Sequence, residues 1–302
     1  MFNTTVPASR RWVIGLLAMA TAFAASAQPP QPQSAPAHGA GDVSLSADLV
    51  KTGLYVINGG GGNTLMRFSQ QGLILVDGKL PGNYRALASQ VRKINKLGDL
   101  PTRVVILTDH HDDHAGNSAQ FLAAGVAIIA QENAKSRLPA FQPAEGKKAP
   151  PIVAFDREYT LKMGGVEAKL MHFGDAHTDG DTVVYFPDLK VVAVGDLFTP
   201  GTPDPDYAAG GSLVGWAPVL AQVLKLDFDV VVPSKGPAVT RSDLEAFKTK
   251  MDLLVSRASA LVVKGVAKDQ LMAQLKTDDL GWQFNLTGDQ IDRFHAELSR
   301  AH

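Results

Sequence analysis

The chain has 302 residues, a formal net charge of −1 and 45% apolar residues, enough to enclose a sizeable core in one large domain or two. No basic block is present, which argues against a nucleic-acid partner. Cysteine is absent, so disulfides and thiolate metal sites are excluded, and any metal must be held by His, Asp, Glu and water, a set that suits zinc, iron or manganese.

Arg10-Arg11, the apolar run Trp12 to Ala25 and the small-x-small triplet Ala25-Ser26-Ala27 read as an export signal over residues 1–27. The run is shorter than the about 20 residues of a membrane helix. No stable membrane anchor is therefore expected after cleavage, and the destination is periplasmic or secreted. Ser9-Arg10-Arg11 leaves the Sec and twin-arginine routes both open. Residues 28–41 are Gln, Pro, Ala and Gly with little to bury, and are expected to be a flexible linker that contains an incidental His38. A single folded domain is expected over 42–302.

Short strands are predicted at Leu54–Ile57 and Thr64–Phe68, around the glycine-rich run Asn58 to Asn63, which reads as a hairpin tip or as a ligand loop. Leu73–Val76 is a strand that ends at Asp77. Leu87, Val91, Ile94 and Leu97 recur at helical spacing over 83–96. A buried strand, Arg103–Leu107, is followed by a helix over 118–124 and another strand over 126–130. Residues 138–151, rich in Pro, Ala and Lys, are expected to form a surface loop. Strands follow at 158–162, 166–173, 182–186 and 191–194, then a long Gly/Pro/Asp loop over 200–212. A helix over 213–226, a strand over 229–232 and helices to the end complete the pattern, the last opening on the capping box Thr287/Gln290. Strands and helices on one core imply a layered α/β or α+β domain.

The stretch Thr108 to Asn117 concentrates the chemistry. Three carboxylates and three imidazoles occupy positions 109–114 directly after an apolar strand. Such a cluster repels itself unless a cation sits within it. Other strands also end in titratable groups, at Asp77 and Asp196, with Lys235 close behind another. His177 lies in a loop with Asp175, Asp179 and Asp181, which could orient a ligating imidazole. His172, in an apolar strand, reads as a core histidine, and His295 and His302 are given no role.

These residues carry a family resemblance over about 50–260. Asp109-His110-His111-Asp112-Asp113-His114 with Ala115-Gly116-Asn117, then Gly174-Asp175-Ala176-His177-Thr178, then Gly195-Asp196, then Pro233-Ser234-Lys235-Gly236-Pro237 resemble, in order, the four signatures of metallo-β-lactamase-fold hydrolases. The resemblance implies a four-layer αββα sandwich with a metal site at one edge. It also marks two departures: Asp109 and Lys235 stand where the family has its first and last metal histidines. Carried over, Asp109, His111 and His177, with Asp196, form one metal site. Asp109 is an acceptable replacement, since carboxylate and imidazole both bind zinc near 2 Å. The second site keeps Asp113, His114 and Asp196 but gains an ammonium, a poor ligand. One Zn2+ rather than two is therefore expected, with Lys235 supplying a charge where relatives place an ion, and His110 or Asp112 held in reserve as ligands.

The implied activity is hydrolysis of a small-molecule ester, lactone, thioester or lactam by a metal-activated water, with Asp113 and Lys235 as catalytic groups. Tyr207, Trp216 and Phe198 are expected to line the substrate pocket, core packing being the other reading of each. Two rivals stand beside this one. A non-catalytic protein that keeps the fold and binds a metal or ligand fits the two departures. A one-iron enzyme fits a ligand set of one carboxylate and two imidazoles.

Overall fold

Adjacent residues along the strands bury into different cores, and this alternation sets the layers. In the segment Leu73–Val76, Leu73 and Leu75 join one apolar cluster while Ile74 and Val76 join another. Val104 and Ile106 separate from Val105 and Leu107 in the same way, as the two-residue side-chain period of a strand requires. The structure is a computed structural model that describes residues 43–96, 99–146 and 148–300. The export-signal and linker readings, with His38 and His302, fall outside the described residues.

Among the described residues, the first sheet runs in chain order through β1 (Ser46–Lys51), β2 (Leu54–Asn58), β3 (Thr64–Ser69), β4 (Gly72–Val76), β5 (Thr102–Ile106), β6 (Ala127–Gln131) and β7 (Ile152–Phe155). Its first four strands pair antiparallel and the rest parallel. The parallel crossovers carry α1 (Tyr84–Ile94), α2 (Asp112–Ala115), α3 (Ser118–Ala123) and α4 (Glu132–Arg137). The second sheet holds β8 (Glu158–Met163), β9 (Val166–Met171), β10 (Val183–Phe186), β11 (Val191–Gly195), β12 (Val230–Pro233) and β13 (Val239–Thr240). β11 and β12 are parallel, joined over α5 (Leu213–Val223). The helices α6 (Arg241–Val263), α7 (Lys268–Gln274) and α8 (Asp289–Arg300) follow.

Three apolar clusters separate four layers. Ile74, Ile106, Val184 and Phe186 lie between the two sheets. Leu75, Leu87, Val91 and Phe121 fill the outer face of the first sheet under α1 and α3. Val192, Trp216, Leu220, Leu254 and Phe294 do the same for the second sheet under α5, α6 and α8. Each such side chain contributes about 1.5–3 kcal/mol when fully buried, so both sheets are covered on both faces. The αββα sandwich implied by the resemblance is the observed fold.

Two elements lack a sequence signal for clear reasons. β1 is an edge strand with no fully buried residue, so no apolar alternation marks it. α4, Glu132–Arg137, buries only Ala134 and is set by a local cap instead, the Gln131 side chain accepting from the Asn133 N–H. No helix among the described residues is long and apolar enough to cross a membrane.

Candidate metal centre

The parallel pairs β4/β5 and β11/β12 end on the same side of their sheets, and the polar residues that follow them meet there. Asp77 follows β4, Asp109 to His114 follow β5, Asp196 follows β11, Lys235 follows β12, and His177 lies between β9 and β10. A rigid scaffold thus aims several short polar loops at one edge.

Asp109, His111, His177 and Asp196 each offer one ligand atom, all within 4.8 Å of one another. His111 Nδ1 lies 3.1 Å from His177 Nε2 and 3.4 Å from Asp109 Oδ1. His177 Nε2 is 3.4 Å from Asp196 Oδ2. The other nitrogen of His177, Nδ1, is 2.6 Å from the Asp204 carbonyl oxygen. A carbonyl only accepts, so Nδ1 carries a proton and Nε2 is the nitrogen that faces the cluster. Asp196 Oδ1 is buried without a protein partner.

The electrostatics agree with this geometry. Burial pushes the Asp109 carboxyl up, but the His114 charge, the His111 hydrogen bond and His177 outweigh it and hold the group at about 2. Asp196 is likewise held well below the carboxylate range, burial being overcome by its His114 hydrogen bond and by the charges of His114 and His177. The hydrogen bond to Asp109, against burial, pushes His111 up to about 9. The cluster is a field that stabilises positive charge. The Asp196 carboxylate with its orphaned oxygen, the Asp109 carboxylate and two converging imidazole nitrogens fit a divalent ion such as zinc.

A second group, Asp113, His114 and Asp196, lies beside the first and shares Asp196 with it. His114 is fully buried. Its Nδ1 is fixed by Asp77 Oδ2 at 2.8 Å, and Thr108 Oγ1 donates to the same oxygen at 2.7 Å. His114 Nε2 therefore points at Asp196 Oδ2, 3.3 Å away. Here the Lys235 ammonium has entered, with Nζ 3.0 Å from Asp113 Oδ2. Burial pulls that amine down, but the hydrogen bond to Asp113 and the charges of Asp196 and Asp113 push it above the ordinary lysine range. It is a cation here and offers no lone pair.

The glycine-rich run is neither a free hairpin tip nor a separate ligand loop. Gly62 N–H donates to the Asp113 carbonyl at 3.0 Å, and Asn63 N–H donates to the Ser234 carbonyl at 2.6 Å. Gly61, at φ +119°, has the Leu80 nitrogen 2.8 Å from where a Cβ would stand, so a side chain there is excluded. The run closes one wall of a cavity of about 710 Å³, lined also by Leu80, Asp112, Asp113, Asp204 and Lys235.

Tyr207 lines this cavity, but Phe198 and Trp216 do not. Trp216 is 1% exposed, donates Nε1–H to the Leu197 carbonyl at 2.9 Å, and stands behind His177, ring centroids 6.0 Å apart. Phe198 packs edge-on against Phe247. Both belong to the core beneath α5 and α6, where an aromatic next to a site motif has the same sequence appearance as a pocket wall.

Two of the three carboxylates expected to orient His177 are engaged elsewhere. Asp179 pairs with Arg137 at 2.6 and 2.9 Å, and Asp181 accepts from the Thr178 N–H and hydroxyl. The Asp204 carbonyl takes the role instead. His172 is half-buried and donates Nδ1–H to the Asp181 carbonyl at 2.8 Å, away from the cluster. His110 stacks beside His111, centroids 4.4 Å apart, and Asp112 stands on the exposed rim. His295 sits on the outer face of α8 beside Ser299. Asp206, which in the sequence lies only within the Gly/Pro/Asp loop over 200–212, contacts His111 Nε2 at 3.0 Å. Its sequence signal is weak: an Asp two residues before an Ala-Ala pair whose N–H groups it caps.

Residues 57–235 match a family model described as the metallo-beta-lactamase superfamily. The chain is 26% identical over 211 residues to 2,4-dinitroanisole O-demethylase subunit alpha of Nocardioides sp. (strain JS1661), covering 67% of this chain and 61% of that protein. It is 28% identical over 136 residues to metallo-beta-lactamase IND-1 of Chryseobacterium indologenes, covering 45% of this chain and 54% of that protein. The chain thus spans little more than half the length of these curated relatives. Among solved structures, a metallo-beta-lactamase from Pontibacter korlensis superposes with a TM-score of 0.58 at 22% identity, over 69% of this chain and 99% of that one. The stereoselective inverting sec-alkylsulfatase Pisa1 from Pseudomonas sp. gives a TM-score of 0.59 at 19% identity, over 83% of this chain and 47% of that one. FIM-1 from Pseudomonas aeruginosa, in its mono-zinc form, gives a TM-score of 0.57 at 21% identity, over 70% of this chain and 96% of that one.

Proposed function

The chain belongs to the metallo-beta-lactamase superfamily, and we propose that it is an exported hydrolase that holds one zinc ion on Asp109, His111, His177 and Asp196. The observation that carries this reading is the convergence of those four ligand atoms within 4.8 Å, next to a Lys235–Asp113 ion pair of 3.0 Å. The ion pair puts a positive charge beside Asp113, His114 and Asp196, which supports one ion rather than two.

When bound, the ion supplies Lewis acidity, polarising a carbonyl and lowering the pKa of a water towards about 7. The rest falls to the chain's own groups. Asp113 orients the attacking water and accepts its proton at Oδ1, because Oδ2 is taken by Lys235. Lys235, on the exposed rim, pairs with a substrate carboxylate or with the oxyanion that develops on the carbonyl. His114, locked by Asp77, keeps Asp196 in place. Tyr207 and Leu80 supply the less polar part of the cavity wall. The substrate is a small molecule with an ester, lactone, thioester or lactam bond, and the fold does not choose among these. The similar proteins include a demethylase, a lactamase and a sulfatase, which supports a broad substrate panel.

Metal analysis of the purified exported protein is expected to find one zinc per chain. Hydrolysis of at least one lactone, ester or lactam should be lost with a chelator and return with zinc. No metal uptake sinks the reading, and one bound iron moves it to redox chemistry. Uptake without turnover on the panel favours a non-catalytic binding protein, a reading that the Lys235–Asp113 pair also fits. Export is part of the same proposal and rests on Arg10-Arg11, the apolar run and Ala25-Ser26-Ala27. N-terminal sequencing of the mature protein should begin at Gln28.

A further inference from the structure

One loop holds the outer nitrogens of both candidate ligand imidazoles. His177 Nδ1–H donates to the Asp204 carbonyl at 2.6 Å, and two residues later the Asp206 carboxylate meets His111 Nε2 at 3.0 Å. The inner nitrogens, His177 Nε2 and His111 Nδ1, are the pair that face each other at 3.1 Å across the cluster. Asp206 divides its two oxygens between tasks. Oδ2 takes the imidazole, and Oδ1 accepts from the N–H groups of Ala208 and Ala209 at 2.9 and 3.0 Å.

The loop that carries Asp206 is itself tied down at several points. Asp206 N–H donates to the His177 carbonyl, and Gly211 N–H donates to the Asp206 carbonyl, both at 2.8 Å. Asp179 N–H donates to the Ala209 carbonyl at 2.9 Å, and Asp179 is held in turn by Arg137. Gly210, at φ +75°, lets the loop press onto Asp179, whose Oδ2 lies 2.6 Å from where a Cβ would stand. On its far side, Tyr207 hydroxyl donates to Glu297 Oε2 at 3.1 Å. The fold therefore presents the Asp206 carboxylate to His111 already oriented.

We propose that Asp206 is a positioning residue for the metal centre, fixing the proton of His111 on Nε2 and turning the Nδ1 lone pair towards the ion. A carboxylate cannot donate, so a neutral His111 beside it keeps its N–H on Nε2 and leaves Nδ1 free to ligate. This inference rests on the proposed metal centre and adds to it a residue outside the four signatures.

Two substitutions separate this role from the capping role. Asp206→Asn keeps an oxygen for the Ala208 and Ala209 N–H groups but turns an NH2 towards His111, which shifts the ring proton to Nδ1. Asp206→Ser keeps a capping oxygen and loses the contact with the ring. Zinc affinity by chelator competition is expected to fall about 10–100-fold in both variants, the scale seen when such outer partners are removed. The absorption spectrum of the cobalt(II)-loaded protein should change in the Asn variant, a readout that the loss of a loop cap alone would not move. Zinc affinities within about twofold of wild type in both variants overturn the inference and leave the metal centre standing. A wild-type chain that takes up no zinc overturns both. Uptake with the expected losses but no hydrolysis supports the role of Asp206 and sinks only the catalytic reading.

Discussion

Two lysines meet the carboxylates of this edge in opposite ways. Lys235 is exposed, paired with Asp113 at 3.0 Å and pushed above its ordinary range. Replacing it with His removes the ammonium and adds an imidazole to Asp113, His114 and Asp196. Lys235→His is expected to raise the metal content from one ion per chain to two, read by metal analysis after dialysis. An unchanged content means that this lysine is not what keeps a second ion out. Lys79 is fully buried and donates to the Ile57 and Gly62 carbonyls at 2.5 and 2.7 Å. Burial pulls its amine down to about 7, against the pull of Asp77. Below about 7 the amine is protonated both folded and unfolded, and the burial cost is fully present. As pH rises from about 7 towards 10.5 the folded chain releases the proton before the unfolded chain does, so stability rises across that window. Lys79→Met removes this contribution, and its urea-melt stability should rise less between those pH values than that of wild type.

At the scale of elements, the glycine-rich run between β2 and β3 works as a clamp through one side chain. Asn63 Nδ2 donates to the Pro233 and Gly236 carbonyls at 2.9 and 2.8 Å, on either side of Lys235. Asn63→Ala strands both carbonyls. The expected loss is about 1–3 kcal/mol, since a buried acceptor left without its donor bears the desolvation cost. A denaturant melt with an unchanged slope and a lower midpoint would show it, and a wild-type midpoint would mean that water replaces the amide. This clamp joins residues 170 positions apart, beyond any local pattern. By contrast, β4, β10, β11 and the Val104–Ile106 part of β5 are legible because their residues bury on both faces as apolar runs. The same division holds in the site. Asp109, His111, His177 and Asp196 are legible because each follows a predicted strand or sits in a motif. Asp206 reaches His111 across 95 positions, and nothing next to it in sequence marks the contact. Phe198 and Trp216 are misplaced for a related reason: aromatic content is legible, but the side of the sheet on which it packs is not.

At the scale of the molecule, the edge that holds the cluster is braced by chain well beyond the family-matched segment 57–235. Phe294 and Leu298 of α8 are fully buried in the same apolar cluster as Trp216, Val219 and Leu220 of α5. From that helix Glu297 reaches the Tyr207 hydroxyl at 3.1 Å, so core packing and the loop of Asp206 are joined through one turn of α8. The two links differ in size. Tyr207→Phe removes one hydrogen bond and should cost about 1 kcal/mol. Phe294→Ala opens a cavity in a filled layer and should cost about 3–5 kcal/mol. Unfolding midpoints of the two variants test this order. If α8 were a detachable appendage, Phe294→Ala would be no more destabilising than Tyr207→Phe. The expected ranking, with Phe294→Ala far lower, makes the last helix part of the scaffold that keeps the candidate metal centre in shape.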